Sequence, residues 1–200
     1  MTEQIVDSST EKWNYNVFLS FRGEDTRNKF LGHLYEELTR RGIQSFKDDM
    51  ELKRGAEISP ALLKAVWESR ISIIIFSKHY ASSSWCLEEL VHIIKCRREK
   101  KQFVLPVFYE VEPTEIRKHQ SGSFGHDMAK HEKEFESDKM KVDNWKLALE
   151  EAADLAGVEF KNGDNEHSFL HNTAKEVSTK LNHTLLHVVD HPVGLKSRIF

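Results

Sequence analysis

Apolar positions along this chain follow two periods. Some sit in short continuous runs and others recur every three to four residues, which predicts strands interleaved with helices. Tyr15 to Phe21 is a compact apolar run suited to a buried strand. Phe30, Leu31, Leu34, Tyr35 and Leu38 then share one helical face. Asp25 stands where that helix needs an N-cap, and Gly42 where its end needs a left-handed residue. Ile43 to Phe46 predicts a second strand and Lys47 to Glu57 a charged loop. Ser59 and Pro60 are a capping residue and a first-turn proline, and Leu62, Leu63, Val66 and Trp67 supply the core face behind them.

Arg70 to Phe76 is nearly continuous and β-branched, which predicts a strand buried on both faces, as in a parallel sheet. After a polar loop over Ser77 to Ser84, Leu87, Leu90, Val91 and Ile94 repeat at helical spacing. Phe103 to Tyr109 is a fourth strand, and Pro106 within it argues for an edge or a bulge. Asn144 to Leu155 predicts a helix closed by Gly157, Val158 to Phe160 a last short strand, and Glu166 to Val189 a final helix. That helix has Leu170, Val177, Leu181 and Leu185 on its apolar side. Alternating strands and helices imply a parallel sheet covered on both faces. The expected fold is α/β: a flavodoxin-like three-layer sandwich with a four- to five-stranded parallel sheet. One domain over 13–189 is expected, with a flexible start at 1–12 and a linker at 190–200.

Composition narrows the classes. Lys and Arg number 29 against 32 Asp and Glu, a formal charge of -3, which argues against a dedicated nucleic-acid binder. Twelve Phe and four Trp in 200 residues require a packed core. Two cysteines, Cys86 and Cys96, exclude a disulfide scaffold and a cysteine-based zinc site. The start, Met1 to Trp13, lacks the apolar core of a secretion leader, and no run approaches the roughly 18 apolar residues of a membrane span. The expectation is a soluble chain of a reducing compartment, in cytoplasm or nucleus, with no membrane partner. The sequon Asn182-His183-Thr184 is then a chance match.

Ligands of open α/β sheets bind beyond the carboxyl ends of the strands. Here those ends are Arg22 to Arg27, Lys47 to Glu57, Ser77 to Trp85 and Glu110 to Ser123. No glycine-rich phosphate loop or dinucleotide fingerprint is present, and Gly122 with Gly125 reads as a turn. The eleven histidines suggest no metal site: His119, His126 and His131 share no helical face and are expected on the surface. Asp48-Asp49 follows the second strand and the third ends in Ser77, so a phospho-accepting aspartate is disfavoured.

Longer motifs are more specific. Ser20-Phe21-Arg22-Gly23-Glu24-Asp25-Thr26-Arg27 closes the first strand. Ala81-Ser82-Ser83-Ser84-Trp85-Cys86-Leu87-Glu88-Glu89-Leu90 follows the third, and Phe108-Tyr109-Glu110-Val111-Glu112-Pro113 the fourth. With Asp48-Asp49 and Arg54-Gly55, these resemble the TIR domains of plant intracellular immune receptors from about Trp13 to Phe160. The tail Pro192 to Arg198 resembles the entry into the nucleotide-binding domain that follows TIR in such receptors.

The resemblance implies NAD+ cleavage, and NADP+ cleavage with it, dependent on self-association. It implies no cofactor or metal, the dinucleotide being the substrate. It places the catalytic carboxylate at Glu89, in Cys-x-x-Glu-Leu. Spacing alone does not separate Glu88 from Glu89, since both project away from the Leu87/Leu90/Val91/Ile94 stripe, and acids early in a helix also serve its dipole. The family further implies a pocket lined by Phe21, Arg22 and Gly23. Arg22 would meet a phosphate or ring face, and Ser83 a ribose hydroxyl. Trp85 would stack on a nucleotide ring, or simply anchor the core. Asp49, Lys53, Arg54 and Gly55 fall in the loop used for head-to-tail assembly, or are an ordinary solvated loop. On the first helix, relatives often carry Ser-His at a dimer contact where this chain has Gly32-His33. Products would act as signals read by lipase-like helper complexes in plant defence and cell death. Two rivals are a non-enzymatic TIR–TIR adaptor and a nucleic-acid-dependent 2',3'-cyclic nucleotide synthase.

Overall fold

The computed structural model describes residues 13–23, 30–47, 59–119 and 121–189, with side chains to position 182 in the last helix. Five strands form one parallel sheet in the order β2-β1-β3-β4-β5. They are β1 (Tyr15–Phe21), β2 (Ser45–Lys47), β3 (Ser69–Phe76), β4 (Phe103–Tyr109) and β5 (Val158–Phe160). This is the flavodoxin-like order. The helices are α1 (Phe30–Arg40), α2 (Pro60–Trp67), α3 (Ser84–Lys100), α4 (Pro113–Lys118), α5 (Gly122–Glu134), α6 (Lys139–Ala153) and α7 (Glu166–Val189).

Strand pleating divides the core into two layers. Phe18, Ile74, Phe76, Val104 and Phe108 face α2, α3, α5 and α6. Val17, Leu19, Phe21, Ile71, Ile73, Ile75, Leu105 and Val107 face α1 and α7. Both faces of β3 are therefore dry, which is why its sequence has no polar alternation. Ser59 caps α2, its hydroxyl accepting from Leu62 N at 3.1 Å, and Gly42 takes φ 72° after α1. Asp25, the tail at 190–200 and the start at 1–12 lie outside the described residues.

Several expectations are corrected. β4 is neither an edge nor bulged: it lies between β3 and β5, and Phe103 to Phe108 pair without interruption with Ile71 to Phe76. Pro106 is tolerated because its carbonyl side faces Gly157, one residue before β5 begins, so its missing N–H interrupts no ladder there. Gly157 does not take a left-handed helix end; a side chain on it would sit 2.5 Å from the Pro106 carbonyl oxygen and 2.7 Å from the Phe108 ring. Trp67 is 39% exposed and Leu63 half-buried rather than core; Lys100 Nζ lies 4.7 Å from the Trp67 ring centre. The stretch Glu110 to Ser123 is not simply a loop, since α4 occupies it and α5 starts in it. Gly, His and Asp in α5 give it weak helix propensity, and it is held by burial of Phe124, Met128 and His131. α6 starts at Lys139, five residues before the expected start, with the Asp138 carboxylate accepting from Lys141 N at 3.2 Å.

Candidate active site at the carboxyl edge of the sheet

β1 carries Ser20 to the face covered by α3, on the same side as Phe18. Glu89 comes from the second turn of α3 and is only 8% exposed. Ser20 Oγ donates to Glu89 Oε2 at 2.9 Å. The Tyr80 hydroxyl lies 2.9 Å from the same Ser20 Oγ and donates to the Cys86 carbonyl at 3.1 Å. Cys86 Sγ in turn reaches the Phe21 carbonyl at 3.5 Å. Thus the end of β1, the turn after β3 and the start of α3 are tied together at one carboxylate.

Burial pushes the Tyr80 phenol well above its ordinary range; Cys86 and Glu89 push the same way, and the hydrogen bond with Ser20 opposes them. Tyr80 is therefore a neutral donor throughout the physiological range. Ser83 is the N-cap of α3 and accepts from Cys86 N at 3.4 Å. Glu89 thus sits just beyond the positive end of a 17-residue helix.

Glu88 and Glu89, which were expected to project together, diverge. Glu88 is on the outer side, with Lys141 Nζ 2.8 Å from its Oε1, while Glu89 turns in toward β1. The cause is that α3 is packed on more than one side, burying Cys86, Leu87, Glu89, Leu90, Ile93, Ile94 and Cys96. A single apolar stripe underestimates such a helix.

Arg22 and Gly23 follow β1 half-buried, and Trp85 is half-buried at the second position of α3. The Phe21 side chain points the other way, into the α1/α7 core, so this residue meets α3 through its carbonyl. His33 is on the other side of the sheet from Glu89: it lies exposed on α1, its Nδ1 2.6 Å from Glu166 Oε1 of α7. Asp49, Lys53, Arg54 and Gly55 lie outside the described residues. Ser20 and Tyr80 were not singled out by residue pattern. Ser20 looks like one more strand position, and Tyr80 is an aromatic in an otherwise polar loop.

The histidines are not uniformly on the surface. His131 is 5% exposed with Nε2 2.8 Å from the Ala81 carbonyl, and His119 has a side chain only 10% exposed. Both are drawn in by α4, α5 and α6, which periodicity did not reveal. Among the described residues, no cluster of three or more His, Cys, Asp or Glu is placed to hold a metal ion. Both cysteines are buried and free. Among the described residues, no helix is long and apolar enough to cross a membrane.

A parallel sheet in this order, with a buried carboxylate at the crest of β1 and β3, defines a flavodoxin-like α/β domain with a candidate site at the carboxyl edge. The chain belongs to the TIR domain family, whose model matches residues 14–193. It is 41% identical over 192 residues to TMV resistance protein N of Nicotiana glutinosa, covering 96% of this chain and 17% of that protein. It is 52% identical over 152 residues to disease resistance protein RUN1 of Vitis rotundifolia, covering 74% of this chain and 11% of that protein. The chain therefore spans less than a fifth of these relatives' length. The TIR domains of the activated Roq1 resistosome, which recognises the pathogen effector XopQ, superpose with a TM-score of 0.73 at 45% identity, covering 82% of this chain and 99% of that one. The RPS4 and RRS1 TIR heterodimer shares the fold, with a TM-score of 0.52 at 17% identity, covering 84% and 98%.

Proposed function

We propose that this TIR domain is an NAD+ glycohydrolase, acting also on NADP+, with Glu89 as its catalytic carboxylate. The observation that carries this is the placement of Glu89: buried, hydrogen-bonded by Ser20, and at the carboxyl edge where this fold class binds ligands. Cleavage breaks the bond between the nicotinamide nitrogen and the ribose anomeric carbon. The electron pair leaves with the pyridine, which departs neutral, so no general acid is required. The sugar develops oxocarbenium character, as in glycoside hydrolysis. A fixed carboxylate beside it stabilises that charge, and water adds at the anomeric carbon and loses a proton.

Gly23 gives the backbone of the β1 corner close access to the substrate, and Arg22 binds its phosphates. Trp85 stacks on a nucleotide ring. Ser83, already occupied as a cap, contributes through helix placement more than through its hydroxyl. Self-association through TIR–TIR surfaces completes the pocket, with 49–55 as the assembly loop and His33 on a second contact face. The Roq1 assembly supports that part of the reading. The products are nucleotide signals for lipase-like helper complexes in plant defence, acting in the cytoplasm or nucleus.

The test is chromatography of NAD+ incubated with the purified chain and with Glu89→Ala. Nicotinamide release should fall by at least about 100-fold in a variant that still unfolds cooperatively. Undiminished release would remove Glu89 from the mechanism. Absence of release by the parent chain at any concentration would leave the adaptor reading.

A further inference from the structure

We propose that Ser20 and Tyr80 are positioning residues, a two-hydroxyl relay that fixes the Glu89 carboxylate before substrate arrives. This rests on the proposed role of Glu89. Proton counting gives the relay its direction. Two hydroxyl protons face three acceptors: Glu89 Oε2, Ser20 Oγ and the Cys86 carbonyl. An ionised carboxylate only accepts, so the Ser20 proton points to Glu89. Ser20 Oγ then accepts from Tyr80, whose single proton is shared with the Cys86 carbonyl. Hydrogen bonds aligned this way polarise one another and are stronger in a dry interior. Ser20 and Tyr80 are both 0% exposed, so water does not substitute for either.

The relay also has a mechanical side. Tyr80 is clamped in the turn after β3, its ring edge-on to Phe76 with centroids 4.9 Å apart. Its hydroxyl ties that turn to the first turn of α3, while Ser20 rises from β1. The glutamate side chain, which has three rotatable bonds, is thereby referenced to two neighbouring strands at once. Fixing it in advance lowers the barrier without strengthening substrate binding, so its loss should appear in kcat and hardly in KM.

Tyr80→Phe removes one oxygen and keeps the ring; Ser20→Ala removes one oxygen and little volume. With the 200-residue chain and NAD+, Ser20→Ala should lower kcat about tenfold or more and Tyr80→Phe about threefold to tenfold, with KM within about twofold. The double variant should lose less than the two single losses combined, because Tyr80 acts largely through Ser20. A parental kcat in either single variant, or additive losses in the double, would overturn the proposal.

A second measurement does not depend on turnover. Tyr80 is coupled electrostatically to both Glu89 and Cys86. Carboxyl carbon NMR of Glu89 should show its titration midpoint moving up in both variants, since each weakens a donor to the charged form. An unmoved midpoint in both refutes the relay. Should Glu89→Ala release nicotinamide as fast as the parent, the catalytic reading fails and this titration alone decides the relay.

Discussion

Glu37 illustrates how a single side chain ties local helix chemistry to pH. It lies on the α1 face toward α7, and burial works against its charge. The hydrogen bond from Arg41 and the charges of Arg40, Arg41 and His171 outweigh that, and its carboxyl sits below the ordinary 4.5. A depressed folded value means the stabilisation is fully present above the unfolded value. It is lost as pH falls through the folded one. Glu37→Gln should therefore lower the urea midpoint at pH 7, and the gap from the parent should close at acid pH. A gap of constant size would assign the effect to packing. Ser83 offers a second single-residue test. Its hydroxyl caps α3, and Ser83→Ala should cost about 0.5–2 kcal/mol, while Ser83→Gly should cost only a few tenths. Denaturant titration measures both.

At the scale of elements, two glycines that look alike in sequence behave in opposite ways. A side chain at Gly32, within α1, would meet nothing within 4 Å, so Gly32→Ala should stabilise by about 0.5–1 kcal/mol. Gly157→Ala drives a methyl into the Pro106 carbonyl and the Phe108 ring and should lower the melting temperature by several degrees. Equal effects of the two substitutions would contradict the packing at the start of β5. The difference shows where legibility ended. β1, β3, β4 and the long helices were readable, because continuous apolar runs and 3.6-residue stripes need no knowledge of neighbours. α4, six residues long, is too short to show a period, and in α5 Gly122, Gly125 and Asp127 argue against a helix that only tertiary burial sustains. At the site, the Cys-x-x-Glu-Leu motif pointed to Glu89, and its inward turn became visible only with α3 packed against β1. Ser20 and Tyr80 were hidden because they are 60 residues apart in sequence and meet only across the sheet.

Over the whole molecule, the two edges of the sheet carry different polar networks. At the amino edge, Gln102 is 3% exposed; its Nε2 donates to the Val66 and Ser69 carbonyls at 2.8 and 2.6 Å, and its Oε1 accepts from Ser72. That network joins α2, β3 and β4 and touches nothing at the carboxyl edge. Gln102→Leu removes two hydrogen bonds to backbone carbonyls and one from Ser72 and should cost about 1–3 kcal/mol while kcat stays at the parental value.

The carboxyl edge is where the proposed association would act. β2 is a three-residue strand, and 48–58, which holds the proposed assembly loop, follows it directly. His33 projects from the opposite layer, 58% exposed, on a face built by α1 and α7 with Glu166, Arg41 and His171. If the 49–55 loop and the α1/α7 face each serve a contact of their own, two contacts per chain build an assembly rather than a closed pair. Nicotinamide release should then rise faster than linearly with protein concentration. His33→Ala, a surface change, should leave the melting temperature in place and move that rise to higher concentration. Strict proportionality between rate and protein would mean that the monomer holds a complete site, and the assembly contribution would have to be withdrawn while Glu89 kept its role.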